Sequence, residues 1–180
     1  MRRILFLAPF TCLTLGAQLN NSTPLPHGPP PYINNDHKFL VEAALDGSTA
    51  VELATIAVQK AASDAVKQFA RQVIHDYSKA NDQLKEVAKS ANIDLPTALD
   101  EKHQSQIVTL ARLSGMEFDQ AYVKDRLKEC QQQVNQYDRE VAGGTDPDIK
   151  EYAGNTLPTL KEHLEAVKAL DKNQRTKPKR

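Results

Sequence analysis

The sequence of 180 residues is poor in the residue types that mark several protein classes. It has no tryptophan, and aromatic residues make up 6% of it. Its 23 basic and 23 acidic residues balance, whereas a dedicated nucleic-acid-binding protein usually carries a basic excess. We therefore expect no nucleic-acid partner. The leucine, valine, alanine, lysine, glutamate and glutamine that dominate the rest favour a helical protein.

The motifs of familiar enzymes are also missing. The sequence contains no Gly-rich phosphate loop, no His-Glu-x-x-His, no Gly-x-Ser-x-Gly and no Cys-x-x-Cys. A ferritin-type di-iron site needs Glu-x-x-His on two helices. No histidine here has a glutamate three residues before it, and Asp100-x-x-His103 comes nearest. We therefore expect neither a familiar enzyme nor a di-iron cofactor, while another metal or a small ligand stays open.

The N-terminal segment has the pattern of a secretory signal peptide. Two arginines precede an almost wholly apolar run, residues 4–15, and the small residues Gly16 and Ala17 follow. The run is shorter than the ~20 residues of a transmembrane helix. We predict a signal peptide over residues 1–17, and an uncleaved N-terminal anchor is the alternative. Cleavage removes one of the two cysteines and leaves Cys130 alone, which excludes an intramolecular disulfide in the mature chain.

Beyond the signal, the chain divides into a short polar segment and a long helical one. Residues 18–35 contain five prolines, a composition that predicts a disordered tether. Helical periodicity then predicts an all-α fold over residues 36–172, an antiparallel four-helix bundle. The four segments are residues 36–63, 64–92, 98–142 with a bend around Gly115, and 147–172 with a kink at Pro158. A basic tail, residues 173–180, completes the chain.

Three local features refine this prediction. Gly47-Ser48 is a predicted weak point of the first helix, and Ser63 is the predicted N-cap of the second. The third and fourth helices show the 3–4 spacing of a bundle seam. The predicted seam residues are Met116, Val123, Leu127, Cys130, Val134, Tyr137 and Val141, followed by Ile149, Ala153, Thr156, Leu160, His163, Val167 and Leu170.

Candidate site residues come from the stretch "RQVIHDYSKAND" and from the two seams. At about 100° per residue, Tyr77 points into the core, Asp76 lies on the flank of that face and His75 points away. Tyr77 can meet the seam residues Cys130 and His163 at one level of the bundle, where metal or ligand sites are built. Glu52, beside a second apolar stripe of the first helix, is a fourth candidate metal ligand. The simpler interpretation is that Tyr77, Cys130 and His163 only fill the core and that Glu52 is exposed.

Several short motifs together resemble a family of exported bacterial proteins. They are "AVEL", "VKQFA", "DYSKAN", "GMEFDQAY" and "LPTLKEHL", spread over residues 50–164. The family they resemble is domain of unknown function 4142, often labelled a predicted outer membrane protein. The resemblance implies a ferritin-like bundle and a location in the periplasm or outer envelope of a bacterium. It implies no activity, because none is established for the family.

The sequence departs from the family where chemistry would lie. The family usually has histidine where Tyr77 and Cys130 stand, and only His163 matches its histidine pattern. If the family's histidines bind a metal, two of the three are replaced here. Tyrosine and cysteine can also ligate metals, but the simpler interpretation is that these positions are filled as core.

These observations leave two functional hypotheses. The first is a non-enzymatic envelope protein with a structural, stress-related or interaction role, whose partner is an unknown envelope component. The alternative is a metal- or small-ligand-binding bundle with an interior site between helices. For the basic tail, contact with anionic lipid or cell-wall polymer is the alternative to simple solvation. The sequence specifies neither the cofactor nor the oligomeric state.

Overall fold

The computed structural model describes residues 35–176, and this part of the chain forms five helices and no strand. They are α1 (Asn35–Lys60), α2 (Asp64–Ser90), α3 (Glu101–Ala111), α4 (Gly115–Gly143) and α5 (Pro147–Thr176). The predicted all-α bundle is therefore confirmed. The predicted signal peptide, nearly all of the predicted tether and the last four residues lie outside the described residues.

Four long helices form the bundle, and the short α3 lies on its outside. The neighbouring pairs are α1–α2, α2–α5, α5–α4 and α4–α1, and each pair is antiparallel. Helices α2 and α4 are therefore diagonal and parallel, so residues 91–114 must cross the length of the bundle. Within this crossover α3 packs mainly on α1. Ferritin-like bundles have one such crossover. None of the helices in the described range has the length and apolarity needed to cross a membrane.

The predicted third segment is two helices rather than one bent helix. Gly115 has φ +62°, in the left-handed region that favours glycine, and Ser114 before it is extended. This backbone separates α3 from α4. Asp100 caps α3 by accepting a hydrogen bond from the backbone N–H of His103. The predicted position of the irregularity, around Gly115, is correct, but the prediction of a bend within one helix was wrong because the chain breaks into two helices there.

Helix α1 runs without a break through its predicted weak point. Gly47 is buried, and a Cβ atom at this position would lie 2.2 Å from Oδ1 of Asn81 on α2. The missing side chain therefore makes room for a neighbouring helix. Three alanines farther along α1 have no exposed surface and also allow close approach: Ala50, Ala54 and Ala57.

The connection between α1 and α2 is held by a side chain from α4. Ser63 has the extended backbone of an N-cap, but its side chain makes no capping hydrogen bond. The buried carboxylate of Asp119 instead accepts from the backbone N–H of Ala62 (3.0 Å) and of Ser63 (2.8 Å). The N-cap position was predicted correctly, and the capping group was not.

Most predicted seam residues lie in the core. On α4 the seam is confirmed at Val123, Cys130, Val134 and Tyr137, whereas Met116 is 67% exposed and Val141 is 37% exposed. Both exceptions lie near the ends of α4, where fewer neighbours cover a helix. On α5 the predicted seam is buried from Ile149 to Val167. This helix continues through Pro158 and extends four residues beyond the predicted end.

Candidate functional site

The structure brings two of the four candidate residues into direct contact. The rings of Tyr77 on α2 and His163 on α5 stack with centroids 5.5 Å apart and planes 24° from parallel. Cys130 is buried on α4, whereas Glu52 is exposed on α1 and does not join the buried residues. His75 is exposed, as predicted.

Asp76 belongs to this contact, although the sequence interpretation gave it no role. Its Oδ2 atom lies 2.8 Å from Nε2 of His163. The same carboxylate accepts two hydrogen bonds from Gln72, at 2.9 and 3.0 Å. Asp76 lies on the flank of the inward face, as predicted, but α5 covers that flank and leaves only 18% of its side chain exposed. Two consecutive residues of α2, Asp76 and Tyr77, therefore both contact His163.

The interior hydroxyl and thiol of the cluster are both kept protonated. The Tyr77 hydroxyl donates a hydrogen bond to Oε1 of Gln133 on α4. Burial holds the pKa of Tyr77 well above its usual range. Burial also raises the pKa of Cys130 to about 11, partly opposed by the positive charge of Arg126. At neutral pH neither group is an anion.

A buried arginine on the same helix was missed by the sequence interpretation. Arg126 is 2% exposed, and its Nε and Nη2 atoms donate to Oδ2 of Asp125 at 3.2 and 3.0 Å. Oδ1 of Asp125 accepts from Nε2 of Gln106 on α3 at 2.7 Å. Burial acts to lower the pKa of Arg126, but the Asp125 carboxylate reverses this and the guanidinium stays charged. The pair links α4 to the crossover helix, and nothing in its sequence position marks it as interior.

Two buried polar atoms of this core have no hydrogen-bond partner among the described residues: Nδ1 of His163 and the hydroxyl of Tyr122. The Phe69 ring lies edge-on to both side chains, with centroid distances of 6.0 Å to His163 and 6.4 Å to Tyr122. Nε2 of His163 faces the Asp76 carboxylate, so in a neutral ring Nε2 carries the proton and donates it in the hydrogen bond. Nδ1 of the neutral ring then keeps its lone pair. This lone pair is the feature of the cluster most suited to a ligand. Within residues 35–176, however, no three His, Cys, Asp or Glu side chains are placed to hold a metal ion together.

A separate polar cleft of about 410 Å³ lies between α1, α3 and α4. Its wall includes the buried His103, whose Nδ1 lies 2.6 Å from Asp100 and whose Nε2 lies 3.1 Å from Asp46. Burial raises the pKa of Asp46, although its hydrogen bond with His103 opposes this; the nearby charge of Glu129 adds to the rise. The Asp100-x-x-His103 pair thus fastens α3 to α1.

With this geometry established, comparison with known proteins identifies the family. A family model described as "Domain of unknown function (DUF4142)" matches residues 22–170. The chain therefore belongs to this family, which confirms the resemblance inferred from its motifs.

A solved structure supports the fold independently. The crystal structure of a DUF305 fragment from Deinococcus radiodurans matches with a TM-score of 0.68 and 11% sequence identity. The match covers 80% of this chain and 99% of that chain. At this identity it shows the fold alone. In the comparison with curated proteins, none matches.

Proposed function

We propose that this chain is a non-enzymatic helical-bundle protein of the bacterial cell envelope, with a structural, stress-related or interaction role. Export is supported by the signal-peptide pattern of residues 1–17. The absence of a basic excess and of enzyme motifs in the sequence is consistent with this role.

The observation that carries the non-enzymatic role is how the interior polar groups are occupied. His163 hydrogen-bonds Asp76, and Tyr77 hydrogen-bonds Gln133. Cys130 is 2% exposed and its pKa is raised to about 11, whereas a nucleophilic cysteine needs a lowered pKa and access to its substrate. These side chains therefore serve packing and helix registration.

The reactivity of Cys130 tests this role. In a Cys12→Ser background at about pH 8, the raised pKa alone reduces the thiolate fraction about a hundredfold against an ordinary thiol, and burial slows alkylation further. We expect iodoacetamide to modify native Cys130 at least about a hundredfold more slowly than the unfolded chain. The matched control moves the thiol to the exposed neighbouring position by combining Cys130→Ser with Gln131→Cys. Equal rates for Cys130 and this control would show an accessible, reactive thiol and contradict the proposal.

Export is tested with a phosphatase that is active only outside the bacterial cytoplasm, fused after residue 35. We expect activity from the natural leader and none when Leu5 and Leu7 are both replaced by aspartate, which interrupts the apolar run. Equal activity from the two fusions would contradict signal-dependent export.

The second candidate function is a metal- or small-ligand-binding bundle with an interior site at Tyr77, Cys130 and His163. The unpartnered, buried Nδ1 of His163 is the observation that favours it. This function requires purified protein to retain a metal and to lose it on Cys130→Ala or His163→Ala. Elemental analysis therefore discriminates between the two functions.

A further inference from the structure

A buried pair of carboxyl groups, separate from the cluster above, joins α1 to the end of α4. Asp36 is 1% exposed and Glu140 is 5% exposed. Asp36 accepts hydrogen bonds from the backbone N–H of Thr145 (3.1 Å), the Thr145 hydroxyl (2.5 Å) and the backbone N–H of Asp146 (2.8 Å). Burial opposes ionisation of Asp36, but these hydrogen bonds outweigh it and lower the pKa. Asp36 is therefore the ionised member of the pair.

Glu140 has no such donors. Its Oε1 atom is buried without a hydrogen-bond donor among the described residues, and the side chain lies within hydrogen-bonding reach of the Asp36 carboxylate. Two carboxylates cannot hydrogen-bond unless one carries a proton. Glu140 is also in the last turn of α4, where a helix terminus disfavours negative charge, whereas Asp36 is in the favoured first turn of α1. The shared proton therefore belongs to Glu140.

The charges around Glu140 come from each neighbouring element. Asp146 in the α4–α5 connection adds repulsion, and Lys150 on α5 partly offsets it. Lys38 of α1 and Arg139 of α4 line the shallow cleft beside Glu140, which Glu42 of α1 also lines. Burial and the Asp36 charge are the larger influences, and together they raise the pKa of Glu140 to about 7.

The α4–α5 connection lies close against the Glu140 carboxyl group. A Cβ atom at position 144 would lie 2.4 Å from Oε1 of Glu140, so the glycine there allows the connection to fold tightly over the carboxyl group. Asp36, meanwhile, is fixed to this connection by its three donors. When Glu140 loses its proton to solvent, the two buried carboxylates therefore repel each other beneath this connection.

We propose that the Asp36–Glu140 pair is a pH-sensitive latch between the first turn of α1 and the α4–α5 connection. The latch is closed while the protonated Glu140 carboxyl donates a hydrogen bond to the Asp36 carboxylate. It opens as the pH rises through neutrality, because the ionised Glu140 side chain must reach water. Since α1 begins at Asn35, the latch lies where the predicted tether joins the bundle. This inference is independent of the proposed envelope function.

Hydrogen exchange of the Thr145 and Asp146 amides tests the latch in the full chain. After correction for intrinsic exchange, we expect their protection to fall by at least about tenfold between about pH 5.5 and about pH 8.5. Glu140→Gln, which keeps a hydrogen-bond donor but cannot ionise, should abolish this fall. The matched control Glu86→Gln, at an exposed position of α2, should retain it. Equal protection at the two pH values, or an unchanged fall in Glu140→Gln, overturns the proposal.

A second measurement uses only the wild-type chain, so its outcome does not depend on whether a variant folds. In a ¹³C carboxyl titration of the wild-type chain, the Glu140 resonance should titrate with a midpoint near 7, well above the reference value of about 4.5 for a glutamate carboxyl. A Glu140 midpoint among those of the exposed glutamates overturns the latch.

Discussion

Replacing Glu140 with glutamine is expected to stabilise the protein at alkaline pH, although most substitutions of buried residues destabilise. Glutamine has nearly the shape of the protonated side chain, and its amide can donate to Asp36 as the carboxylic acid does. The variant therefore keeps the closed arrangement and removes the charge that opposes it.

The size of the effect follows from the pKa of Glu140 in the folded and unfolded chains. It is about 7 when folded and near 4.5 when unfolded. Below about pH 4.5 both states are protonated, so Glu140 costs no stability. Between these values only the unfolded state ionises freely, and the free energy of unfolding falls as the pH rises. Above about pH 7 the full difference, about 3 kcal/mol, has been lost. Local opening of the latch limits this cost, so we expect Glu140→Gln to gain about 1–3 kcal/mol at about pH 8.

Urea denaturation followed by circular dichroism, at several pH values between about 4.5 and 8.5, measures this gain. The wild-type and variant curves should be close together at the acidic end and separate progressively towards pH 7. Comparing the two proteins at each pH removes the contributions of titrating groups that do not interact with Glu140, including Asp46. A constant difference across the range, or a less stable variant at pH 8, would refute the assignment of the shared proton.

Two further predictions concern carboxylates that join neighbouring elements, Asp119 and Asp76. Asp119→Ala removes the acceptor of two backbone N–H groups and should lower the free energy of unfolding by about 2–4 kcal/mol. The control Glu117→Ala, at an exposed position of the same helix, should change it by less than about 0.5 kcal/mol. Equal effects of the two substitutions would contradict the capping role of Asp119. A double-mutant cycle of Asp76→Ala and His163→Ala should give a coupling energy of about 1–2 kcal/mol. Additive effects would show that the 2.8 Å contact contributes no interaction of its own.

The helices were largely predictable from local patterns, and the exceptions have local causes. The spacing of apolar residues predicted α1, α2 and α5 because each buries one or more continuous faces. The separation of α3 from α4 depends on the positive φ of Gly115, which its residue type permits but does not require. Gly47 illustrates the opposite case: helix propensity suggested a weak point, whereas contact with Asn81 explains the glycine.

The candidate site was predictable only where one helix determined the answer. Tyr77, Cys130 and His163 lie on apolar faces, so their burial followed from helical periodicity. The roles of Asp76 and Gln133 depend on which neighbouring helix covers them and at what height. The pattern of apolar residues along one helix does not show how neighbouring helices are aligned against it. Arg126 was missed because its burial depends on the ion pair with Asp125, which makes a buried charge tolerable and is not visible in the periodicity of the helix.

The central claim is that the buried Tyr77, Cys130 and His163 side chains serve packing and hold no metal. The most direct test is elemental analysis of the protein purified without chelators. The claim predicts no stoichiometric zinc, iron or copper, and no rise in melting temperature when these ions are added. One metal ion per chain, lost on either Cys130→Ala or His163→Ala but retained in the exposed control Glu52→Ala, would contradict it and establish the interior metal site instead.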